Sequence, residues 1–238
     1  MKTTLLISFA LLTAAASAAW GQDSMYFYNR GLESTTANKR VEYFTKAIQL
    51  NPNLAEAYEK RALHYYYQWK YDKAIRDYSR VIELVPESGE AFRMRGVSHL
   101  KKQELESAIS DFDRAIDLAP KQASAYGYRA EAFRLRGMVE EALRDSTKAI
   151  RLRGDARTIA NAYKTRAKAY QQLGNVELSD ADFEKSFELD PRYALVRYLA
   201  SGSSLESVRW IGLFGIIALV FIGVFHLSLN APEKKDQY

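Results

Sequence analysis

Apolar residues, small residues and prolines recur along this chain with a period of 34 residues, which predicts a stack of similar two-helix units. Pro52, Pro86 and Pro120 are spaced by 34 residues, Gly154 stands a further 34 on, and Pro191 follows 37 after that. Because proline lacks an N–H and its ring clashes with the preceding turn, each proline is expected to end a helix.

Each unit carries five further marks before its proline. An aromatic residue comes first: Tyr58, Phe92, Tyr126 and Tyr163. Two sets of small residues follow: Ala62, Gly96, Ala130 and Ala167, then Ala74, Ala108, Ala142 and Ser179. The last two sets are Tyr78, Phe112, Ser146 and Phe183, then Val81, Ala115, Ala149 and Ser186. Small residues allow two helix backbones to approach closely, so each unit is predicted to be an antiparallel helix pair that must stack on its neighbours.

This pattern resembles the tetratricopeptide repeat, which implies an all-α helix-turn-helix solenoid of about five repeats over residues 23–200. The full units are assigned to 55–88, 89–122, 123–156 and 160–193. A degenerate first unit is assigned to 24–54, where these residues fit: Phe27, Gly31, Phe44, Ala47 and Pro52. The 37-residue step adds three residues around Gly154–Ile159, which is most simply a longer turn between units and alternatively a functional protrusion.

Both ends of the chain are hydrophobic. The first 19 residues have the short apolar run and the Ala16-Ser17-Ala18 site of a signal peptide, with an uncleaved anchor as the alternative. Trp210–Leu229 is 20 residues without a charge, long enough to cross a bilayer core of roughly 30 Å. Residues 201–209 are assigned to a linker and 230–238 to a cytoplasmic tail. Together these predict a single-pass membrane protein whose repeats are exported to the periplasmic, luminal or extracellular side.

An arginine stands between the first aromatic and the small residue of each unit. These are Arg61, Arg95, Arg129 and Arg166, with Arg30 in the first unit. An acid follows 16 residues after each of the four later arginines: Asp77, Asp111, Asp145 and Asp182. Guanidinium and carboxylate groups match as two-pronged partners, which favours a structural ion-pair ladder within a unit or between neighbours. The alternative is a row of arginines that binds an acidic ligand.

The resemblance implies that the first helix of each unit lines a concave groove that binds a protein or peptide partner. The groove residues predicted on this basis are Leu63, Tyr66, Tyr67, Met94, Val97, Leu100, Tyr128 and Glu131. The N-terminal half of this groove is aromatic and apolar, and the C-terminal half is polar and basic. Members of the family that bind chaperone tails carry a clamp of Lys and Asn residues. Such a clamp is missing here, because its positions hold Glu59, Leu63, Val97, Tyr128 and Thr165.

Residues 134–168 contain ten bases against four acids, whereas the whole chain has a net charge of +5. This segment is interpreted as a solvated face, with contact to anionic lipid headgroups or an acidic partner as the alternative. No nucleic acid is expected, since no nucleic-acid-binding module is recognisable.

Composition and motifs narrow the chemistry further. The chain has no cysteine, which excludes disulfides, thiol catalysis and cysteine-ligated metals. His64 and His99 have no carboxylate partners at metal-ligand spacing and are interpreted as packing residues, and Tyr65 and Trp69 as core. We recognise no phosphate-binding loop, metal-ligand motif or nucleophile–base arrangement, so no enzyme, cofactor or metal site is predicted.

The sequence therefore predicts a membrane-anchored scaffold or adaptor that binds partner proteins in the groove of a helical solenoid. Two alternatives remain at this point. The chain is a constitutive structural subunit of a membrane complex, or it is a tail-anchored cytosolic adaptor whose N-terminus is not cleaved.

Overall fold

The structure, a computed structural model, describes residues 23–190, and these contain ten helices. Helix α1 spans 23–33 of the described residues. The others are α2 (Ala37–Leu50), α3 (Ala55–Tyr67), α4 (Tyr71–Leu84), α5 (Gly89–Lys101), α6 (Leu105–Leu118), α7 (Ala123–Leu135), α8 (Val139–Leu152), α9 (Ala156–Gln172) and α10 (Val176–Leu189). The predicted signal peptide, linker, membrane helix and tail lie outside the described residues. Over residues 23–190, none of the helices combines the length and the apolar character needed to cross a membrane.

The helices pair in chain order and form an all-α solenoid. From α3 onwards each odd-numbered helix packs against the following even-numbered helix, and each even-numbered helix packs against the next unit. The first helices also contact one another, α5 with α7 and α7 with α9, whereas no comparable contact joins the second helices α4, α6, α8 and α10. This asymmetry places the first helices on the inner side of the stack, which is the side where a groove is expected.

Prolines set the ends of most second helices. The residues before them, Asn51, Val85, Ala119 and Asp190, have φ values between -135° and -144°. A residue that precedes proline is driven out of the helical region by a clash with the proline ring, so each helix stops there. Helix α8 has no proline after it and ends differently, with Arg153 in the left-handed region at φ 54° and then Gly154.

The turn inside each of the four later units contains a left-handed residue. Gly137 and Gly174 supply it in two units with φ of 85° and 74°, whereas Trp69 and Gln103 adopt φ of 58° and 62° at the same repeat position. The prediction that Trp69 belongs to the core is wrong, because its side chain is 79% exposed. It lies in the turn between α3 and α4, beyond the last residue of α3, and not on the packed face of either helix. Tyr65, one turn earlier on α3, is half-buried.

The core is a series of small clusters, each of which spans a unit boundary. One cluster joins α5, α6 and α7 through Val97, Leu100, Ile109, Phe112 and neighbouring alanines. Another joins α3, α4 and α5 around Tyr78 and Val81. Because each cluster needs atoms from the next unit, a single unit cannot bury its apolar side chains alone.

The three extra residues before the last unit extend a helix. The expectation of a longer turn is wrong, since the connection 153–155 is one residue shorter than the connection 119–122. Helix α9 has 17 residues where α7 has 13. Asp155 caps the added turn, because its carboxylate accepts hydrogen bonds from the Thr158 amide at 3.0 Å and the Thr158 hydroxyl at 2.7 Å.

The close approach of α5 and α6 depends on Gly96. A Cβ atom added at Gly96 would lie 2.8 Å from Cε1 of Phe112, whereas one added at Gly127 of α7 meets nothing nearer than 3.9 Å. We expect Gly96→Ala to lower the free energy of unfolding by about 1–2 kcal/mol through overpacking. Gly127→Ala is the matched control, and should raise it by up to about 1 kcal/mol because alanine is the better helix former. Urea denaturation measures both, and a stabilising Gly96→Ala would contradict the packing described.

Candidate functional site

The arginine of each of the four later units binds the aspartate of the same unit with both prongs of its guanidinium. In all four pairs Nε and Nη2 donate to the two carboxylate oxygens over distances of 2.6 to 3.0 Å. The pairs are Arg61–Asp77, Arg95–Asp111, Arg129–Asp145 and Arg166–Asp182. The four aspartates are buried, so each carboxylate depends on its arginine for compensation of its charge.

The remaining nitrogen, Nη1, donates to the second helix of the preceding unit. The acceptors are Thr45 at 3.1 Å, Ser79 at 3.0 Å, Asp113 at 2.6 Å and Thr147 at 3.1 Å. Each arginine therefore joins its own two helices to the helix before them, so the ladder runs both within and between units. Sequence reasoning missed these four acceptors, although they are themselves spaced by 34 residues.

The first aromatic residue of each unit lies under its arginine. The guanidinium carbon is 5.5 Å from the ring centroid of Tyr58 in one unit, and 5.5, 5.6 and 5.3 Å from those of Phe92, Tyr126 and Tyr163 in the next three. Cation–π attraction adds to the hydrogen bonds. At Arg129 burial opposes the charge, yet the hydrogen bonds to Asp145 and Asp113 outweigh it and raise the guanidinium pKa. The guanidinium nitrogens of each ladder arginine are thus already hydrogen-bonded within the chain, which disfavours direct binding of an acidic ligand to these arginines.

The first unit departs from the ladder. Arg30 lies 5.9 Å from the ring centroid of Tyr43, and its guanidinium is 3.6 Å from the Glu33 carboxylate on the exposed face of α1. His64 of α3 stacks on Phe44 of α2 with ring centroids 5.9 Å apart. The first unit therefore lacks a bidentate pair of its own, and it is joined to the second unit by the His64–Phe44 ring contact and by the Arg61–Thr45 hydrogen bond.

The predicted groove residues divide into a buried floor and an accessible surface. Val97 and Leu100 are 1% and 8% exposed, so they belong to the core. The prediction that they line the accessible groove is corrected: they form the buried floor beneath it. Tyr66 of α3 and Tyr128 of α7 pack against the cluster that contains them. Leu63, Met94 and Glu131 are half-buried, like those two tyrosines, and Tyr67 is the most exposed at 67%.

The inner surface carries tyrosines of α3 and α7, and Tyr66 and Tyr128 rest on the same buried cluster. The Tyr66 ring centroid is 5.6 Å from that of Tyr67 and 5.7 Å from that of Tyr71. Tyr128 stacks on Phe112 at 6.0 Å, and the Arg93 guanidinium lies 5.9 Å from the Tyr128 centroid. Burial, followed by the neighbouring Tyr128 and Tyr71, raises the pKa of Tyr66 to about 12, so its hydroxyl stays protonated at neutral pH.

The other half of the inner surface is polar. Arg134 donates twice to Glu131, both times at 2.9 Å, and the Thr165 hydroxyl of α9 lies 3.3 Å from the same carboxylate. Lys164 donates to Asn161 at 3.1 Å. Burial and the nearby charge of Lys168 lower the pKa of Lys164. Basic side chains of α9 therefore lie beside the Glu131–Arg134 pair of α7.

The basic segment 134–168 is partly neutralised by acids outside it. Arg134, Arg136 and Arg166 pair with Glu131, Glu106 and Asp182. Arg144 pairs with Glu141 inside the segment at 2.9 Å. Within residues 23–190, no acid pairs with three exposed bases near the end of α8, which are Lys148, Arg151 and Arg153.

The interpretation of His99 as a packing residue is incomplete, because its half-buried ring also contacts two carboxylates. Its Nδ1 lies 2.6 Å from Glu104, and its Nε2 is 3.9 Å from Asp111. With Arg95 it lines a shallow polar cleft of about 430 Å³ between α5 and α6. Among the residues that the structure describes, no cluster of His, Asp and Glu could hold a metal ion. Nothing in this part of the chain points to an enzyme.

Two family models, both described as tetratricopeptide repeat, match the chain. One matches residues 59–123 and 98–156, the other matches 160–193, and together they cover more than half of the sequence. The chain belongs to the tetratricopeptide repeat family. No curated protein gave a match to the sequence.

Several solved tetratricopeptide structures share the fold. A crystal structure of MamA superposes with a TM-score of 0.63 at 22% identity, and covers 73% of this chain and 95% of its own. MamA 41-end from Desulfovibrio magneticus RS-1 has a TM-score of 0.64 at 17% identity, with 73% and 96% covered. YrrB, described as a TPR protein with an unusual peptide-binding site, has a TM-score of 0.56 at 20% identity, with 69% and 84% covered. At these identities the likeness shows the fold alone.

The ladder predicts a large penalty when one of its arginines is removed. Arg95→Ala leaves the Asp111 carboxylate, whose side chain is 7% exposed, without its ion-pair partner. We expect the free energy of unfolding to fall by roughly 2–4 kcal/mol, with a lower melting temperature. The control is Arg144→Ala, which removes an arginine that is 69% exposed and should change stability by less than about 0.5 kcal/mol. Equal effects of the two substitutions in thermal and urea unfolding would contradict a structural ladder.

Proposed function

We propose that this protein is a scaffold that binds a protein partner along the inner surface of its solenoid. The observation that carries the proposal is the aromatic surface formed by Tyr66, Tyr67 and Tyr128, in which Tyr66 and Tyr128 rest on the buried cluster of the unit between them. Exposed aromatics that rest on a rigid, buried floor are typical anchor sites for apolar side chains of a partner. The ladder is consistent with this role. Its arginines are already bound by groups of the chain, so a partner would have to bind other residues of the inner surface.

Similarity to known proteins is consistent with this proposal. The repeat family builds surfaces for protein binding, and YrrB is described as having a peptide-binding site. The similarity extends to the fold, and the identity of the partner stays open.

We further propose that the scaffold is anchored in a membrane by Trp210–Leu229, with its repeats on the exported side and residues 230–238 in the cytoplasm. The support is the 20-residue uncharged stretch near one end and the signal-like segment at the other. Anchoring would raise the local concentration of whatever the repeats bind. The exposed bases at the end of α8 suit contact with anionic headgroups.

Two other arrangements use the same fold. A constitutive structural subunit of a membrane complex would have one stoichiometric partner, held by an interface that need not include the aromatic surface. A tail-anchored cytosolic adaptor would keep its N-terminus. N-terminal sequencing of the mature protein separates the last arrangement from the exported one, since a start near Ala19 excludes it.

The aromatic surface is tested by affinity purification of the full-length, membrane-extracted protein beside a Tyr67→Ala variant. Tyr67 is 67% exposed, so its loss should remove partner contact without loss of core packing. We expect partners to be depleted at least about fivefold, as for the loss of an aromatic anchor worth about 1 kcal/mol or more.

The matched control is Tyr26→Ala, which removes an equally exposed tyrosine, at 59%, from α1. Circular dichroism checks that both variants fold. Partners that persist with Tyr67→Ala, or that are lost equally with Tyr26→Ala, would contradict binding at this surface and favour a structural subunit.

A further inference from the structure

The added turn of α9 changes the inner surface as well as the length of the helix. Residues 157, 161, 164 and 168 follow the i, i+4, i+7, i+11 spacing that places side chains on one face of a helix. They are Arg157, Asn161, Lys164 and Lys168, and the bond from Lys164 to Asn161 shows two of them side by side. These four positions are called the basic stripe. Without the added turn the stripe would begin at Asn161, so the added turn contributes Arg157, its first charged residue.

The stripe runs along the helix that faces the Glu131–Arg134 pair. Thr165, adjacent to Lys164, contacts Glu131 of α7, which fixes how α9 lies against the preceding first helix. Alanines at 160, 162, 167 and 169 form the buried sides of α9. Arg157 is exposed, whereas Asn161, Lys164 and Lys168 are half-buried. The basic stripe is therefore a partly accessible side of α9, on the row of first helices where α7 carries Tyr128.

Positive charge dominates this part of the inner surface. Its bases are Arg157, Lys164, Lys168, Arg134 and, from the end of α5, Lys101. The acids that act on Lys164 are Glu131 and Asp190. Charge repulsion from Lys168 and Lys101 contributes, after burial, to the lowered pKa of Lys164. Arg157 is exposed, and no acceptor within residues 23–190 hydrogen-bonds to its guanidinium.

Arg157 also lies near the aromatic surface. Its charge is among those that act on the Tyr66 hydroxyl, where it opposes the rise in pKa. Helix α9 packs against α7, which carries Tyr128, so the basic stripe and the tyrosines lie on the same row of first helices. From Arg157 to Lys168 the helix rises about 16 Å, which is the reach of roughly five residues of extended chain.

We propose that the basic stripe of α9 binds the carboxylates of an extended acidic segment of the partner protein, with Arg157 as a residue that determines specificity. This inference rests on the proposed function, because it names the chemistry of the partner for the same surface. The matching segment has an apolar or aromatic residue beside two or three acidic residues. The tyrosines would contact its apolar residue, and the basic stripe would bind its carboxylates. Arg157 forms no ion pair with an acid within residues 23–190, so its charge is available for this purpose.

The test uses an array of decapeptides, each with one Leu, Phe or Tyr and two Glu residues within five positions. Matched arrays carry Gln or Lys in place of Glu. Full-length, detergent-extracted protein is applied as wild type, as Arg157→Gln and as Arg151→Gln. The last is the control, because Arg151 is an exposed arginine on α8, outside the first helices, and its loss changes the net charge equally.

We expect the wild type to prefer the Glu array over the Gln array and to reject the Lys array. Arg157→Gln should weaken binding to the Glu peptides about three- to tenfold while leaving weak binding to the Gln peptides unchanged. Arg151→Gln should behave like the wild type. Added salt should reduce the Glu preference, since exposed charges are screened at high ionic strength.

Other outcomes separate the two proposals. Equal binding of the Glu and Gln arrays, or unchanged selectivity in Arg157→Gln, overturns the acidic-segment inference and leaves groove binding standing. No binding to any array contradicts both. Binding to phosphatidylserine vesicles that is lost in Arg157→Gln, without Glu selectivity on the arrays, would assign the stripe to lipid and overturn the inference.

Discussion

The bidentate arginine–aspartate pair, extended by a third hydrogen bond to the preceding unit, is the interaction on which the rest of the structure depends. A solenoid has no contacts between distant units, so its register must be set at every boundary between neighbours. Arg129 shows how this is done, with Asp145 in its own unit, Asp113 in the unit before, and the ring of Tyr126 beneath it. Buried ion pairs often add little net stability, but they penalise any packing that leaves one charge alone. The ladder is best understood as a device that selects one stacking arrangement.

That arrangement determines what the inner surface presents. Tyr66 and Tyr128 come from units that are not adjacent, yet both rest on the cluster around Val97 and Leu100. A shift of one unit against the next would separate the tyrosines from this floor. The added turn of α9 builds on the same arrangement, because it lengthens one first helix without disturbing the boundary between α8 and α9. The arginines of the ladder and the tyrosines of the inner surface are thus different residues of the same first helices.

Much of this fold could be predicted from the sequence, because the same kind of residue recurs at the same position of several repeats. The prolines predict the helix ends, since the clash before a proline is local and independent of neighbours. The constant spacing of 16 residues between Arg and Asp pointed to paired charges, and the structure brings all four pairs together. The acceptors of the third hydrogen bond also recur every 34 residues, but they are not of one residue type, so the sequence pattern does not single them out. They are Thr45, Ser79, Asp113 and Thr147.

Other features depend on tertiary contacts that no local pattern reports. Val97 and Leu100 occupy groove positions, but tyrosines of the units on either side cover them. Trp69 has the composition of a core residue, yet it replaces the glycine of a left-handed turn and lies in solvent. The sequence does predict that the insertion is helical, because Asp155 three residues before Thr158 is a typical helix N-cap. Gly154, just before it, favours a turn and points the other way.

The central claim, that each arginine joins neighbouring units as well as its own two helices, is tested most directly by a double-mutant cycle across a unit boundary. The cycle combines Arg129→Gln with Asp113→Asn and measures the free energy of unfolding of all four proteins in urea. The account predicts a coupling of about 0.5–1 kcal/mol, the range for a partly exposed charge pair. A coupling of zero would mean that the arginine acts within its unit alone, and the proposed basis of the stacking would then be wrong.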